Sequence, residues 1–436
     1  IAQSFDEYLR AWVLIHALHD RLGFPGRAPG MIFNLSVGYD LAGIKEPNMQ
    51  WFLDQVNDCS GAKAAMIEQL ARFHPAAADL DIPDRISDSV TLSTMHGCPP
   101  GEIENICAYL LRDRRLHTFV KCNPTLLGAE RVRRILGDDL GFGDVVVPDA
   151  AFEHDLDYRD AVPLLTRLRG TAKECGLEFG VKLTNTLEVR NFRTVFDGSE
   201  KTMYLSGRPL HAITVNLAAN LAEEFSGRLP MSFSAGADCF NAPQLLAAGM
   251  QTITVCSDLL KTGGYLRLPQ YLERTNDAFR EAGAESTDEF ILKTAGPGAA
   301  GDNVRPSALA NLRRYAAECR QDPALKKDRF DTSHSKTPRR LGLFDCIEAP
   351  CMDGCAVDQK VPHYMDAVRS GHYGRAARLT RLDNPVPAML ARVCDHLCEP
   401  VCIRTHLDEP LAIRHIKRKR SCSLVQAARP NQYRRL

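Results

Sequence analysis

The sequence predicts an α/β fold: a (β/α)8-type barrel followed by a small all-α domain. Three observations carry this reading. From residue 31 onward short apolar segments alternate with helical stretches. Polar and small residues cluster where those apolar segments end. Between 346 and 402 six cysteines fall in two triplets, in loops that flank short helices. A chain of 436 residues is long enough for two or more domains.

The chain opens in a helical stretch with Phe5, Leu9, Trp12 and Leu14. Strands are expected at 31–36, 90–94, 118–122, 144–148, 179–184, 212–216, 230–234 and 252–256. Their near-continuous apolar runs suit strands buried on both faces. Alternation with helices implies parallel pairing, and so many repeats favour a barrel over an open sheet. The segment 212–216 also reads as the start of a helix. Residues 1–268 are the expected barrel and 269–340 a connector, helical at first and then rich in Gly and Pro. Residues 341–418 form the cysteine domain, and 419–436 an irregular basic tail, better read as a disordered end than as an anion site.

Lys plus Arg and Asp plus Glu both number 54, so nothing points to a nucleic-acid polyanion as partner. The sequence has no apolar run of membrane length and no signal peptide. Of 15 cysteines, the nine outside the triplets are scattered singly on apolar segments, as expected of reduced thiols in a cytoplasmic protein.

In β/α barrels chemistry sits at the C-terminal ends of the strands. Four ends stand out. Cys98 lies on the loop Thr94-Met-His-Gly-Cys98-Pro-Pro, where a thiol can face a ligand as acid or base. Lys121 and Asn123 end the strand at 118–122, and a lysine inside an apolar strand is costly unless it meets an anion or electron-rich ring. Lys182 repeats that shape in Phe179-Gly-Val-Lys182-Leu-Thr184-Asn185. Ala235-Gly236 and Cys256-Ser257 end the last two strands, where small residues commonly expose N–H groups to a phosphate.

The triplets are Cys346-x4-Cys351-x3-Cys355 and Cys394-x3-Cys398-x3-Cys402. Three thiolates within ten residues repel one another unless a metal centre takes up their charge. Zinc and iron–sulfur centres are both open; the wider gaps favour a cubane over a C-x2-C zinc knuckle.

The residues from Cys346 to Cys355, with Asn384-Pro385, the second triplet and Pro410-Leu-Ala-Ile413, resemble the iron–sulfur domain of the glutamate synthase small subunit and of dihydropyrimidine dehydrogenase. That resemblance implies two 4Fe–4S clusters, with Cys346, Cys351 and Cys402 on one and Cys355, Cys394 and Cys398 on the other. Two positions depart from it: Leu343 stands where relatives have a further cysteine, and Lys417 where they have Gln or Glu. Asp345, His396, His415 and Cys422 are the candidate substitutes. Gly97-Cys98-Pro-Pro with Phe119-Val-Lys121-Cys-Asn123-Pro resembles the active-site cysteine loop and flavin lysine of the FMN barrel of dihydropyrimidine dehydrogenase, a relative of dihydroorotate dehydrogenase. Ser206-Gly207, Ala235-Gly236 and Cys256-Ser257 resemble its remaining flavin and phosphate segments. By this resemblance the barrel is N-terminally incomplete, lacking two strands before Ile1, and 179–184 is an insertion. No asparagine–threonine substrate pair is evident near Val147-Pro148-Asp149.

The order of the two modules resembles the selenate reductase iron–sulfur subunit family. The implied function is an iron–sulfur flavoprotein oxidoreductase whose clusters relay electrons between an FAD- and NAD(P)H-binding module, expected beyond this sequence, and the barrel or a partner such as a molybdenum-containing subunit. The alternatives are a dihydropyrimidine-dehydrogenase-like FMN enzyme and a non-catalytic electron-transfer scaffold. A barrel without its first strands exposes sheet edges, so this sequence expressed alone is expected to be poorly soluble and inactive with NAD(P)H.

Overall fold

The computed structural model describes residues 1–26, 28–38, 40–94, 97–191, 201–260, 264–296, 303–327, 349–406 and 409–418. Its frame is a six-stranded sheet in which every pairing is parallel: β1 (Asn34–Val37), β2 (Ser89–Ser93), β3 (His117–Cys122), β4 (Phe179–Leu183), then β7 (Met231–Phe233) and β8 (Thr252–Ile253). The strands follow one another in chain order, as in a β/α barrel, and make an open half-barrel of it. Strands β5 (Leu187–Arg190) and β6 (Thr202–Leu205) form a separate antiparallel ribbon, with Leu187 opposite Leu205.

Side chains alternate across each strand. Val90 and Leu92, Val120 and Cys122, Val181 and Leu183 are buried on the face covered by the helices Pro100–Arg112 and Tyr158–Cys175. The opposite face, the interior of the half-barrel, carries Thr91 and Ser93, Phe119 and Lys121, Lys182 and Ser232. This polar interior row explains why an otherwise apolar strand tolerates a lysine.

Three expectations need correction. Residues 144–148 are not a strand: Val145 and Val147 are buried while Val146 is 43% exposed, and the bond from the Arg190 N–H to the Val146 carbonyl (2.9 Å) starts no ladder, since the next carbonyl, that of Val147, accepts from the Arg133 side chain (2.7 Å) and Pro148 ends the segment. Residues 212–216 lie inside the helix Arg208–Glu224, which is buried on nearly every side. A continuous apolar run looks the same in a doubly covered strand and in an enclosed helix. Residues 179–183 are not an insertion but the strand between β3 and β7. The expected strands at 31–36 and 252–256 appear as the shorter β1 and β8.

Beyond the sheet, the helices Leu268–Ala282, Thr287–Thr294 and Val304–Glu318 pack as a layer, the last against Arg208–Glu224. His211 fastens this layer. Its Nδ1–H donates to the Ala235 carbonyl (2.8 Å), and its Nε2 accepts from the Tyr315 hydroxyl (2.6 Å). In the cysteine domain, Val361–Arg369 and Tyr373–Asp383 pack together over Val361, Tyr364, Ala367 and Ala376. Helix Pro387–Val393 rests on the first helix, Ala2–Arg21: the Met389 N–H donates to Glu7 Oε2 (3.0 Å) and Arg392 to Ser4 Oγ (3.1 Å). No helix of the described residues is long and apolar enough to cross a membrane.

His211 is fully enclosed, and burial pushes its imidazole down to about 4. An unfolded chain takes up this proton near pH 6.5, so the unfolded state binds more protons between 6.5 and 4. Stability therefore falls as pH drops through that window, by about 3 kcal/mol for this group once pH 4 is reached. Denaturant midpoints at pH 7 and pH 4.5 should show a larger acid loss in wild type than in His211→Gln.

Candidate functional site

The rim at the C-terminal ends of the strands gathers most of the sequence-predicted barrel residues. Cys98 follows β2 and precedes the helix Pro100–Arg112, whose start is fixed by consecutive prolines, Pro99 and Pro100. Asp155 holds this loop: the Gly97 N–H donates to Oδ1 (3.1 Å), while Thr125 Oγ1 from the loop after β3 donates to Oδ2 (2.7 Å). Cys98 lines a small, mainly apolar crevice between β3 and the helices Pro100–Arg112 and Tyr158–Cys175, with Val120, Cys122, Asn123 and Asp155; Lys121 borders it only by its place in β3, since by register its side chain stands on the interior face. Burial first, and then Glu102, pushes the Cys98 thiol up. As it stands, the group holds its proton and fits a general acid better than a thiolate nucleophile.

Asn185 ties three strand ends together. Its Nδ2 donates to the Thr94 carbonyl (2.9 Å) and to Asn123 Oδ1 (2.8 Å), and Thr94 Oγ1 donates to the Lys121 carbonyl (2.8 Å). Sequence reasoning left Asp155 and Asn185 out of the site. For Asn185 a signal existed, since a lysine shortly followed by an asparagine ends both β3 and β4. Asp155 lies in a polar loop, with nothing in its neighbours to single it out.

Lys121 and Lys182 are register partners on adjacent strands. Burial pushes both ammonium groups down; proximity to Lys121 lowers Lys182 further, whereas Cys256 opposes the fall at Lys121. Lys121 on the interior face of β3 is thus close enough to the loop after β8 for Cys256 to bear on its charge.

The phosphate-type segments also converge. Gly236 has φ +59°, and a Cβ there would lie 2.6 Å from the Gly207 carbonyl oxygen. Gly207 has φ +74°, and a Cβ on it would sit 3.5 Å from the Ser257 side chain. The loops after β6 and β7 therefore meet through backbone just where the helix Arg208–Glu224 begins, and the loop after β8 brings the Ser257 side chain beside them. N–H groups at such a start attract anions. Ala235 is buried and its carbonyl is taken by His211; Ser206 is exposed.

In the cysteine domain Cys351, Cys398 and Cys402 are buried, and Cys355 and Cys394 half-buried. Cys346, Asp345, Cys422 and the tail 419–436 lie outside the described residues. The thiols lie close enough to influence one another: Cys402 and, more weakly, Cys355 push Cys351 up, and Cys355 and then Cys394 push Cys398 up, so Cys355 bears on both. Burial pushes Cys398 up to about 12. Buried bare thiols favour their protons; iron reverses this by taking the thiolate. Among the described residues no three His, Cys, Asp or Glu side chains close on one point as a single ion requires. A cubane binds each thiolate on a different iron and asks for wider spacing. The donor set fits such a cluster. Of the other candidates, His396 Nδ1 lies 3.0 Å from Glu399 Oε2, and His415 is exposed. Lys417 is buried near Cys398 and donates to Gln359 Oε1 (3.1 Å).

This domain sits on the barrel rim. Gly264 lies so close to the backbone of Ala356 and Val357 that any Cβ there would overlap the Ala356 carbonyl. Tyr265 feels Cys355, and Cys256 feels Asp395 on one side and Lys121 on the other.

The sequence model of the family described as oxidoreductase YgfK, N-terminal TIM-barrel domain, matches residues 1–303. That described as dihydropyrimidine dehydrogenase domain II, 4Fe-4S cluster, matches residues 334–426. The candidate oxidoreductase YgfK of Escherichia coli (strain K12) is 38% identical over 437 aligned residues, covering 96% of this chain and 40% of that protein. The chain thus spans about two-fifths of the length of this curated relative. The NADP(+)-dependent formate dehydrogenase subunit beta of Moorella thermoacetica is 40% identical over 72 residues, 16% of this chain and 10% of that subunit. A ligand-free dihydroorotate dehydrogenase structure from Eimeria tenella superimposes with a TM-score of 0.31 at 16% identity, over 49% of this chain and 57% of that one; a match so loose carries no argument.

Removing the Asp155 carboxylate frees one loop N–H and one hydroxyl. Asp155→Ala should cost about 1–3 kcal/mol and loosen the Cys98 loop. Peptide mass spectrometry after brief maleimide treatment should then find Cys98 modified several-fold faster than in wild type, with Cys256 unchanged.

Proposed function

The chain belongs to the family described as oxidoreductase YgfK, N-terminal TIM-barrel domain, and from that premise we propose that it serves an iron–sulfur flavoprotein oxidoreductase. Electrons would pass through 4Fe–4S clusters between an FAD/NAD(P)H module and a site at the mouth of the barrel or on a partner subunit, such as a molybdenum-containing one. The observation that carries this reading is the seat of the cysteine domain on the rim, where the backbone of Gly264 closes on that of Ala356, next to Cys355 in sequence. A selenate-reducing activity is a label that resemblance suggests; the chemistry of the rim supports a reductive site without choosing that substrate.

In this proposal Cys346, Cys351 and Cys402 hold one cluster, and Cys355, Cys394 and Cys398 hold the other, the nearer to the rim. Clusters pass single electrons, and FMN couples single-electron to two-electron chemistry. Gly207, Gly236 and Ser257 would bind the FMN phosphate through backbone N–H groups, with Ser206, Ala235 and Cys256 flanking it. Lys121 and Lys182 would face the electron-rich edge of the ring system, and Asn123 would orient it. Cys98, held by Asp155 and protonated, would deliver a proton to the ligand as it is reduced. The second reading, an FMN enzyme reducing a small ring, is favoured by one observation: Asn123 and Asn185 meet at the rim, as amides that read a ring would. An intracellular setting follows from the reduced thiols and is part of the proposal.

Anaerobic reconstitution tests the clusters. Iron and acid-labile sulfide should be found together, with a broad visible absorbance. Cys402→Ser and Cys398→Ser should each remove about half of the iron, and should affect different electron paramagnetic resonance signals. Stoichiometric zinc without sulfide would end the cluster reading. For the flavin, Gly236→Ala should lower FMN occupancy at least about ten-fold, because the added carbon pushes the Gly207 carbonyl out of place.

A further inference from the structure

The interior row of the half-barrel holds an arrangement that a flavin alone does not explain. Ser93, Lys121, Lys182 and Ser232 stand side by side on neighbouring strands, by register. The backbones of paired strands are about 5 Å apart, so two ammonium groups emerge together from the sheet. Both are half-buried. Among the described residues neither has a carboxylate or carbonyl partner. The groups around them are hydroxyls and amides: Ser93 Oγ faces Asn185 Oδ1 (3.4 Å), and Ser232 Oγ accepts from Thr252 Oγ1 (2.6 Å). Phe119 fills the layer below, its ring lying against Gly180. Paired, half-buried cations with no counter-charge are unfavourable in the folded protein, and such a cost persists where a ligand uses it.

We infer that Lys121 and Lys182 act together as a binding site for a small anionic substrate that carries two or more oxygens on one centre, of the carboxylate, phosphate or sulfate kind. One ammonium suffices for the single negative charge that a reduced ring edge develops, so the second is left for a ligand with charge of its own. Two donors on adjacent strands suit two oxygens of one group, as bidentate charge-assisted bonds do elsewhere. Thr94, Asn185 and Asn123, locked to one another, give the site a rigid wall rather than further charge. The inference builds on the proposed location of the site at the barrel mouth, but it does not require FMN to be present.

Calorimetric titration of the purified protein with sulfate, and separately with inorganic phosphate, in a chloride-free buffer tests it. Saturable binding of one anion per chain is expected. Lys121→Gln and Lys182→Gln should each weaken it at least about ten-fold, the loss of one charge-assisted contact, whereas Lys182→Arg should hold it within a few-fold. Lys182→Met should keep or raise the melting temperature, because it removes an unpaired cation. The absence of saturable binding, wild-type affinity in either Gln variant, or a loss confined to Ser257→Ala would overturn the proposal. So would a marked drop in melting temperature for Lys182→Met, which would make the lysine structural. Flavin content, read by absorbance in the same samples, fails or holds independently: anion binding without FMN would sink the flavin reading alone, and FMN without anion binding would sink this one alone.

Discussion

All six strands of the main sheet run the same way, and this direction decides where chemistry can occur. Each loop that follows a strand emerges on one rim, so residues distant in sequence are brought together. Cys98, Asn123, Asn185, Gly236 and Cys256 come from five such loops. Were one strand reversed, its loop would leave by the far edge. The helical layers bury the outer face of the sheet and make that direction permanent. His211 contributes by fixing the enclosed helix Arg208–Glu224 both to the end of β7 and to the outer helix Val304–Glu318.

The rim is also where the second module sits. Contacts at two separated places hold it: the first helix with Pro387–Val393, and the backbone approach of Gly264 to Ala356. Two anchors fix an orientation better than one. They bring Asp395, next to Cys394 in sequence, to Cys256, which in turn senses Lys121. The result is a sequence of neighbours from the cysteine domain into the half-barrel. Proximity of this kind is what the proposed electron transfer needs, and in that proposal the polar interior row is where the electrons would be used.

Much of this was legible in the sequence because the physics is local. A lysine in an apolar strand had to face something polar, and Lys121 and Lys182 do share the interior face. Pro99 and Pro100 had to open a helix, and so had Val361-Pro362. The cysteine spacing itself marked a metal domain, matched by the 4Fe-4S family over 334–426. Failures came where the cue is ambiguous or non-local. Residues 212–216 are apolar on every side, which fits strand and helix equally. Residues 144–148 had a strand's composition but no ladder partner to make it one. The ribbon of β5 and β6 pairs strands that lie farther apart in the chain than the two- to five-residue loops that announce a hairpin. Asp155 holds Gly97 and Thr125, far away along the chain, so its own neighbours could not announce it.

The account rests on the seat of the iron–sulfur domain at the barrel mouth, and spin relaxation measures it directly. A nitroxide can be attached to Cys256, which is exposed. Reducing the reconstituted clusters should markedly speed relaxation of that label, and Gly264→Val, which forces the Ala356 backbone away, should suppress the effect while iron content stays unchanged. A label whose relaxation is the same with oxidised and reduced clusters would contradict the account, since the clusters would then lie too far from the rim to serve it.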